Sequence, residues 1–206
     1  MGKHTQSIDS QVLRRAQAGK DGWVFTASDF LDLGSREAVD TALFRQSRNG
    51  IIRKITRGLY DVPRHDAQMG QLAPSVDAIA KALQDRDAIR LQPSGAYAAN
   101  RLGLSDQVPM KVVFLTDGSP RRMQVGKLQI ILRHTTPRNM ATAAEVSGLI
   151  IQALRHLGQR GVTPRETTIL RQRLTATDRQ RLLKDARFAP AWIARIMRDV
   201  ANPAKD

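Results

Sequence analysis

The chain has 206 residues, with 33 Lys and Arg against 19 Asp and Glu, a net charge of +14 and a pI near 11.2. That length can bury one good core or two small ones, and a balance this basic suits a polyanionic partner. With no cysteine there is neither a disulfide framework nor a thiolate metal site. No metal and no cofactor are expected. The start, MGKHTQSIDS, is polar and lacks the apolar stretch of a signal peptide, and no run of about 18 apolar residues occurs. A soluble, cytoplasmic protein with no membrane partner is expected. The excess charge is spread, at +3 over residues 1–66, +5 over 67–140 and +6 over 141–206, so no single basic arm accounts for it. The later two-thirds therefore has room for a second polyanion or an acidic protein.

In chain order, Ser7 to Ala18 reads as a first helix with Ile8, Val12 and Leu13 inward and Gly19 closing it. Trp23-Val24-Phe25 is a short extended piece, and Thr26 or Ser28 caps a second helical stretch ending near Leu33. Ser35 is a good N-cap for a third helix, in which Val39, Ala42 and Leu43 form one buried stripe. The opposite face carries Glu37, Thr41, Arg45 and Arg48, flanked by Asp40 and Phe44. Asn49-Gly50 ends that helix. Ile51 to Ile55 alternates as a strand, Thr56-Arg57-Gly58 is a tight turn, and Leu59 to Val62 returns, stopped by Pro63.

Helix, short strand, helix, turn, helix, hairpin is the winged helix-turn-helix order. Charge placement agrees with it. Six basic residues lie between Arg36 and Arg57 against two acidic ones, Glu37 and Asp40. They sit on the third helix, the strands and the turn, as a reader of a groove with phosphates along both rims requires. The candidate DNA-binding residues are Ser35, Arg36, Thr41, Arg45, Arg48, Arg53, Lys54 and Arg57.

Arg64 to Ala73 reads as a linker, placing a domain boundary near residue 66. The second region, 67–206, opens on a helical pattern through Val76, Ile79, Ala80 and Leu83. Gln92 to Leu104 is rich in small residues and reads as a helix after Pro93. Lys111 to Thr116 and Leu128 to Arg133 read as central strands of a small sheet within about residues 90–135. From Ala143 the period is helical, through Val146, Leu149, Ile150, Ala153, Leu154 and Leu157 to Gly158. Thr163-Pro164-Arg165-Glu166 is a strong helix start, Thr177 with Gln180 a weaker one, and a last helix after Pro190 buries Trp192, Ile193, Ile196 and Val200. The expected fold class is α+β: a winged helix-turn-helix, then a small sheet and a helical layer over about 143–201.

The wording VDTALFRQSRNGIIRKITRGLYDVP, followed by SGAYAANRLGLSDQVP and then VVFLTDG, resembles the AbiEi-type antitoxins of bacterial toxin-antitoxin and abortive-infection systems. The blocks occur in the family's order over roughly residues 7–135, and the likeness weakens over the C-terminal helices. The resemblance implies a winged helix that represses its own operon by binding inverted repeats upstream of it. It implies a C-terminal domain that counters a nucleotidyltransferase-like toxin encoded next door, with or without direct contact. By position, Arg45 and its helix become base readers or phosphate anchors, and Arg53, Lys54 and Arg57 become wing contacts. No antitoxic surface residue transfers.

Enzyme chemistry finds little footing. His4, His65, His134 and His156 lie far apart, in no HxH or HxxxH spacing. Thr116-Asp117-Gly118-Ser119 lacks the Lys, the Gly-rich stretch and the following helix of a phosphate cradle, and reads as a strand-end turn. Ser94-Gly95 is followed by no paired acidic residues for a divalent cation. No catalytic residue is expected. The alternative to an autorepressing antitoxin is a plain regulator whose C-terminal domain senses a ligand or dimerises.

Overall fold

The structure, a computed structural model, describes residues 7–202, so His4 and the first six residues of the polar start lie outside it. The protein is mixed α+β and divides into two compact units, residues 1–88 and 89–206.

In the first unit, Ser7 caps helix α1 (Ile8–Ala18), its Oγ accepting from the Ser10 N–H. Strand β1 (Val24–Phe25) leads into a 3₁₀ turn, Ala27–Phe30, in place of the longer helical stretch expected as far as Leu33. The reason is local. Thr26 and Asp29 close a reciprocal capping box around one tight turn, leaving no length for an α-helix. Helix α2 (Arg36–Arg48) follows, then strands β2 (Arg53–Thr56) and β3 (Leu59–Asp61). The sheet order is β1-β3-β2, antiparallel throughout, with a register shift between Lys54 and Thr56. Val12, Phe25, Phe30, Val39, Leu43 and Ile52 form the core, and Phe25 meets Phe30 edge-on at 5.4 Å.

Arg64 to Leu72, expected as a linker, is instead a hairpin of β4 (Arg64–Asp66) and β5 (Gly70–Leu72). Asp66 makes its turn by accepting from the Gln68 and Met69 N–H groups. Helix α3 (Val76–Asp87), expected to open the second region, packs on β1. The division therefore falls after Ala88, downstream of the expected boundary near residue 66, because hairpin and helix both bind back to the first unit.

The second unit begins with β6 (Leu91–Ser94), a strand not expected from the sequence, and helix α4 (Gly95–Arg101), the helix expected after Pro93. Strands β7 (Lys111–Thr116), β8 (Arg121–Val125) and β9 (Leu128–His134) complete a sheet ordered β6-β7-β9-β8. The two expected strands are its centre and run parallel. A short helix α5 (Pro137–Met140) precedes α6 (Val146–Leu157), α7 (Pro164–Arg173), α8 (Ala176–Asp185) and α9 (Ala191–Ala201). Ala98, Leu102, Ile150, Leu154, Leu170 and Met197 belong to the core these helices share. The weaker start expected at Thr177 is displaced: the capping box is Thr175 with Asp178.

Candidate nucleic-acid interface

The sequence sets α2 on its face. Ser35 Oγ accepts from the Ala38 N–H at 3.3 Å, fixing the first turn. Val39, Ala42, Leu43 and Gln46 then turn inward, α2 packing on α1. The residues that remain outward include Glu37, Thr41, Phe44, Arg45 and Arg48, all exposed. Between the start of α1 and this face lies a cleft lined by Ser7, Ile8, Asp9, Ser35, Glu37, Ala38, Thr41 and Arg45.

The expected cations divide by what already holds them. Arg36 pairs with Asp40 one turn on at 2.9 Å, and Arg45 reaches Asp9 at 3.2 Å. Both arginines are 63% exposed, so these are weak, solvated pairs that an incoming phosphate can displace. Arg48 lies over the Phe44 ring, 6.0 Å from its centroid. Lys54 and Arg57 project from β2 and the turn beyond it, and both are exposed.

Arg53 departs from the expectation of a free wing contact. Its Nε donates to one Asp61 oxygen at 2.9 Å and its Nη2 to the other at 2.5 Å, with a further bond from Nη2 to the Leu72 carbonyl at 2.9 Å. Asp61 is 3% exposed, and the two residues are direct partners across the hairpin. A bidentate, part-buried pair is part of the scaffold. The wing turn has a second brace, since Arg86 from α3 donates to the Arg57 carbonyl at 2.9 Å. Gly58 supplies the turn's left-handed conformation at φ +72°. Sequence reasoning missed Asp61 and Arg86. The Arg53–Asp61 register follows once the hairpin is paired, whereas nothing local marks Arg86, 29 residues from the carbonyl it holds.

Nearby, burial pushes the Tyr60 hydroxyl above its ordinary value, with the charge of Asp40 adding to it, while the Arg36 charge acts in the opposite direction. In the second unit, Asp117 is taken up by Arg90, accepting from its backbone N–H at 2.8 Å and its Nε at 2.7 Å. These bonds hold the Asp117 carboxyl below its usual range. His134 Nδ1 lies 3.0 Å from the Gly118 carbonyl, closing the same turn. Ser94 Oγ faces Gln152 Oε1 at 3.4 Å. Among the described residues no group of three or more His, Asp or Glu is placed to hold a metal ion, and no helix is long and apolar enough to cross a membrane.

Helix α1, the 3₁₀ turn, an outward α2 and a β1-β3-β2 sheet give the first unit the winged helix-turn-helix arrangement, in an α+β protein whose second unit is a small sheet with a helical layer. The chain belongs to a family of unknown function, DUF6088, whose model matches residues 11–182. No curated protein matches it. Among solved structures it is similar to the RV2827C protein from Mycobacterium tuberculosis, with a TM-score of 0.45 and 16% identity, over 95% of this chain and 77% of that one.

Proposed function

We propose that this protein is a cytoplasmic autorepressing antitoxin. It binds duplex DNA through the outward face of α2 and the β2–β3 wing, and its second unit counters a nucleotidyltransferase-like toxin. The observation that carries the DNA reading is the exposed row Thr41, Arg45 and Arg48, with Lys54 and Arg57 beyond it on a doubly braced hairpin. A helix of this kind lies in the major groove while wing cations meet the flanking phosphates. The first turn of α2 leaves backbone N–H groups, beside Ser35 and Arg36, that suit a phosphate oxygen. The antitoxin half of the reading rests on the likeness of the three sequence blocks to AbiEi-type antitoxins.

One set of strains tests both halves. The neighbouring gene is induced alone, with the full chain, and with a full-length Lys54→Ala, Arg57→Ala variant, while a reporter follows the operon's own promoter. An autorepressing antitoxin relieves toxicity in both forms and loses repression in the variant. A neighbour that is not toxic, under a promoter that the chain still represses, is the result for a plain regulator. With purified protein, affinity for a promoter duplex falls steeply with salt as cations displace condensed counterions. A flat titration rejects the interface.

A further inference from the structure

Phe44 is the one large apolar side chain on the outward face of α2, and it is 58% exposed. The core of the first unit is built from Val39, Ala42 and Leu43 on the other side of the helix. A single exposed apolar residue needs no explanation on an ordinary surface. This one stands among the groups proposed to read DNA. At about 100° per residue, Thr41, Phe44, Arg45 and Arg48 share an arc of roughly 100° on one face. The ring is also braced, with the Arg48 guanidinium 6.0 Å from its centroid.

The floor of the major groove presents hydrogen-bond donors and acceptors and one apolar feature, the C5-methyl group of thymine. Arg45, Arg48 and the Thr41 hydroxyl answer the polar features, and the Phe44 ring, the largest apolar group in the row, answers the methyl. Stacking on a base face is not the match for a duplex, because paired bases keep their faces covered and show only edges. We infer that Phe44 is a specificity-determining residue that packs against a thymine methyl group, so that α2 selects thymine at one position of its site. The inference rests on the DNA-binding reading above and adds to it a base preference with a named cause.

The test begins with the full chain and a pool of random duplexes. The most enriched duplex is remade with each thymine singly replaced by uracil, which removes one methyl group and leaves every hydrogen-bonding group in place. At one position the wild-type protein binds the uracil duplex about fourfold more weakly, the value of one buried methyl group. Phe44→Ala binds the parent duplex more weakly and no longer distinguishes thymine from uracil at that position. Phe44→Leu, which keeps an apolar contact, retains the preference. Both variants melt with the wild type, as a side chain outside the core requires. Wild-type protein that binds every uracil duplex as tightly as the parent overturns the inference while leaving DNA binding in place, as does a Phe44→Ala variant that still discriminates. If no duplex is enriched at all, the DNA-binding reading falls and the thymine contact falls with it.

Discussion

Arg53 and Arg57 sit four residues apart in one basic hairpin, yet their surroundings give them opposite work. Replacing Arg53 by Ala strands the Asp61 carboxylate in a site only 3% exposed and frees the Leu72 carbonyl. Breaking a buried pair from one side costs about 3–5 kcal/mol. Arg53→Ala should therefore lower the denaturation midpoint sharply, whereas Arg57→Ala should leave it within about 0.5 kcal/mol of wild type and weaken duplex binding instead. Equal midpoints for the two variants would mean that the Arg53–Asp61 pair is not part of the scaffold. Charge alone showed that the hairpin was basic; it did not show which cations were spoken for, because that depends on cross-strand register. Carboxylates supply the pH dependence at this scale. Bonds from Thr163 hold Glu166 below its ordinary value, and bonds from Arg90 do the same for Asp117. Groups with lowered native values stabilise the fold at pH above their unfolded values, about 4, and lose that contribution as pH falls through the lowered ones. Thermal melts from neutral pH downward should thus hold steady to about pH 5 and decline below about 4. In a Glu166→Gln variant the decline should be shallower.

At the scale of elements, the starts of helices were the features the sequence disclosed most completely. Ser35 before α2 and Thr163-Pro164-Arg165-Glu166 before α7 each use a short-range bond that a few residues encode completely. Strands without an apolar pattern of their own were not legible, whereas the β-branched runs of β7 and β9 were. Arg64-His65-Asp66 has no apolar alternation and becomes a strand only by pairing with Gly70-Gln71-Leu72. Arg121 to Val125 is a basic edge strand that β9 recruits. Close approach of two backbones is equally hidden. The small residues from Gln92 to Leu104 permit it, but among the described glycines the tightest approach is at Gly148 in α6. A Cβ there would lie 2.2 Å from the Thr142 carbonyl oxygen and 2.6 Å from Gln92 Oε1. Gln92 is itself buried in β6, so neither neighbour has room to retreat. Gly148→Ala should destabilise the second unit by about 1–3 kcal/mol, even though alanine is the better helix former. A denaturant titration that shows no loss would mean that α6 and the Thr142 backbone separate easily.

For the whole molecule, the consequential difference from the sequence reading is where the first unit ends. A chain stopped at residue 66 contains α1, α2 and the wing, which is all that the winged-helix order demands. It lacks the Leu72 carbonyl that accepts from Arg53 and the Arg86 side chain that holds the Arg57 carbonyl at the wing turn. It also lacks α3, whose Ile79 and Leu83 are fully buried. Fully burying an aliphatic side chain is worth about 1.5–3 kcal/mol, a large share of the stability of a domain this small. Residues 1–88 should therefore unfold in one cooperative transition, and residues 1–66 should unfold at a much lower denaturant concentration or lack a folded baseline. The slope of the transition should be steeper for 1–88, since it scales with the surface exposed on unfolding. If the two fragments have the same midpoint and slope, the β4–β5 hairpin and α3 are appendages, and the wing is held by its own strands alone. If they differ as expected, the cations proposed to meet DNA at the wing are positioned by residues as far along the chain as Arg86. Arg86→Ala should then weaken duplex binding without touching DNA, and Arg86→Lys, which keeps the charge but has no forked donor, should recover only part of the loss.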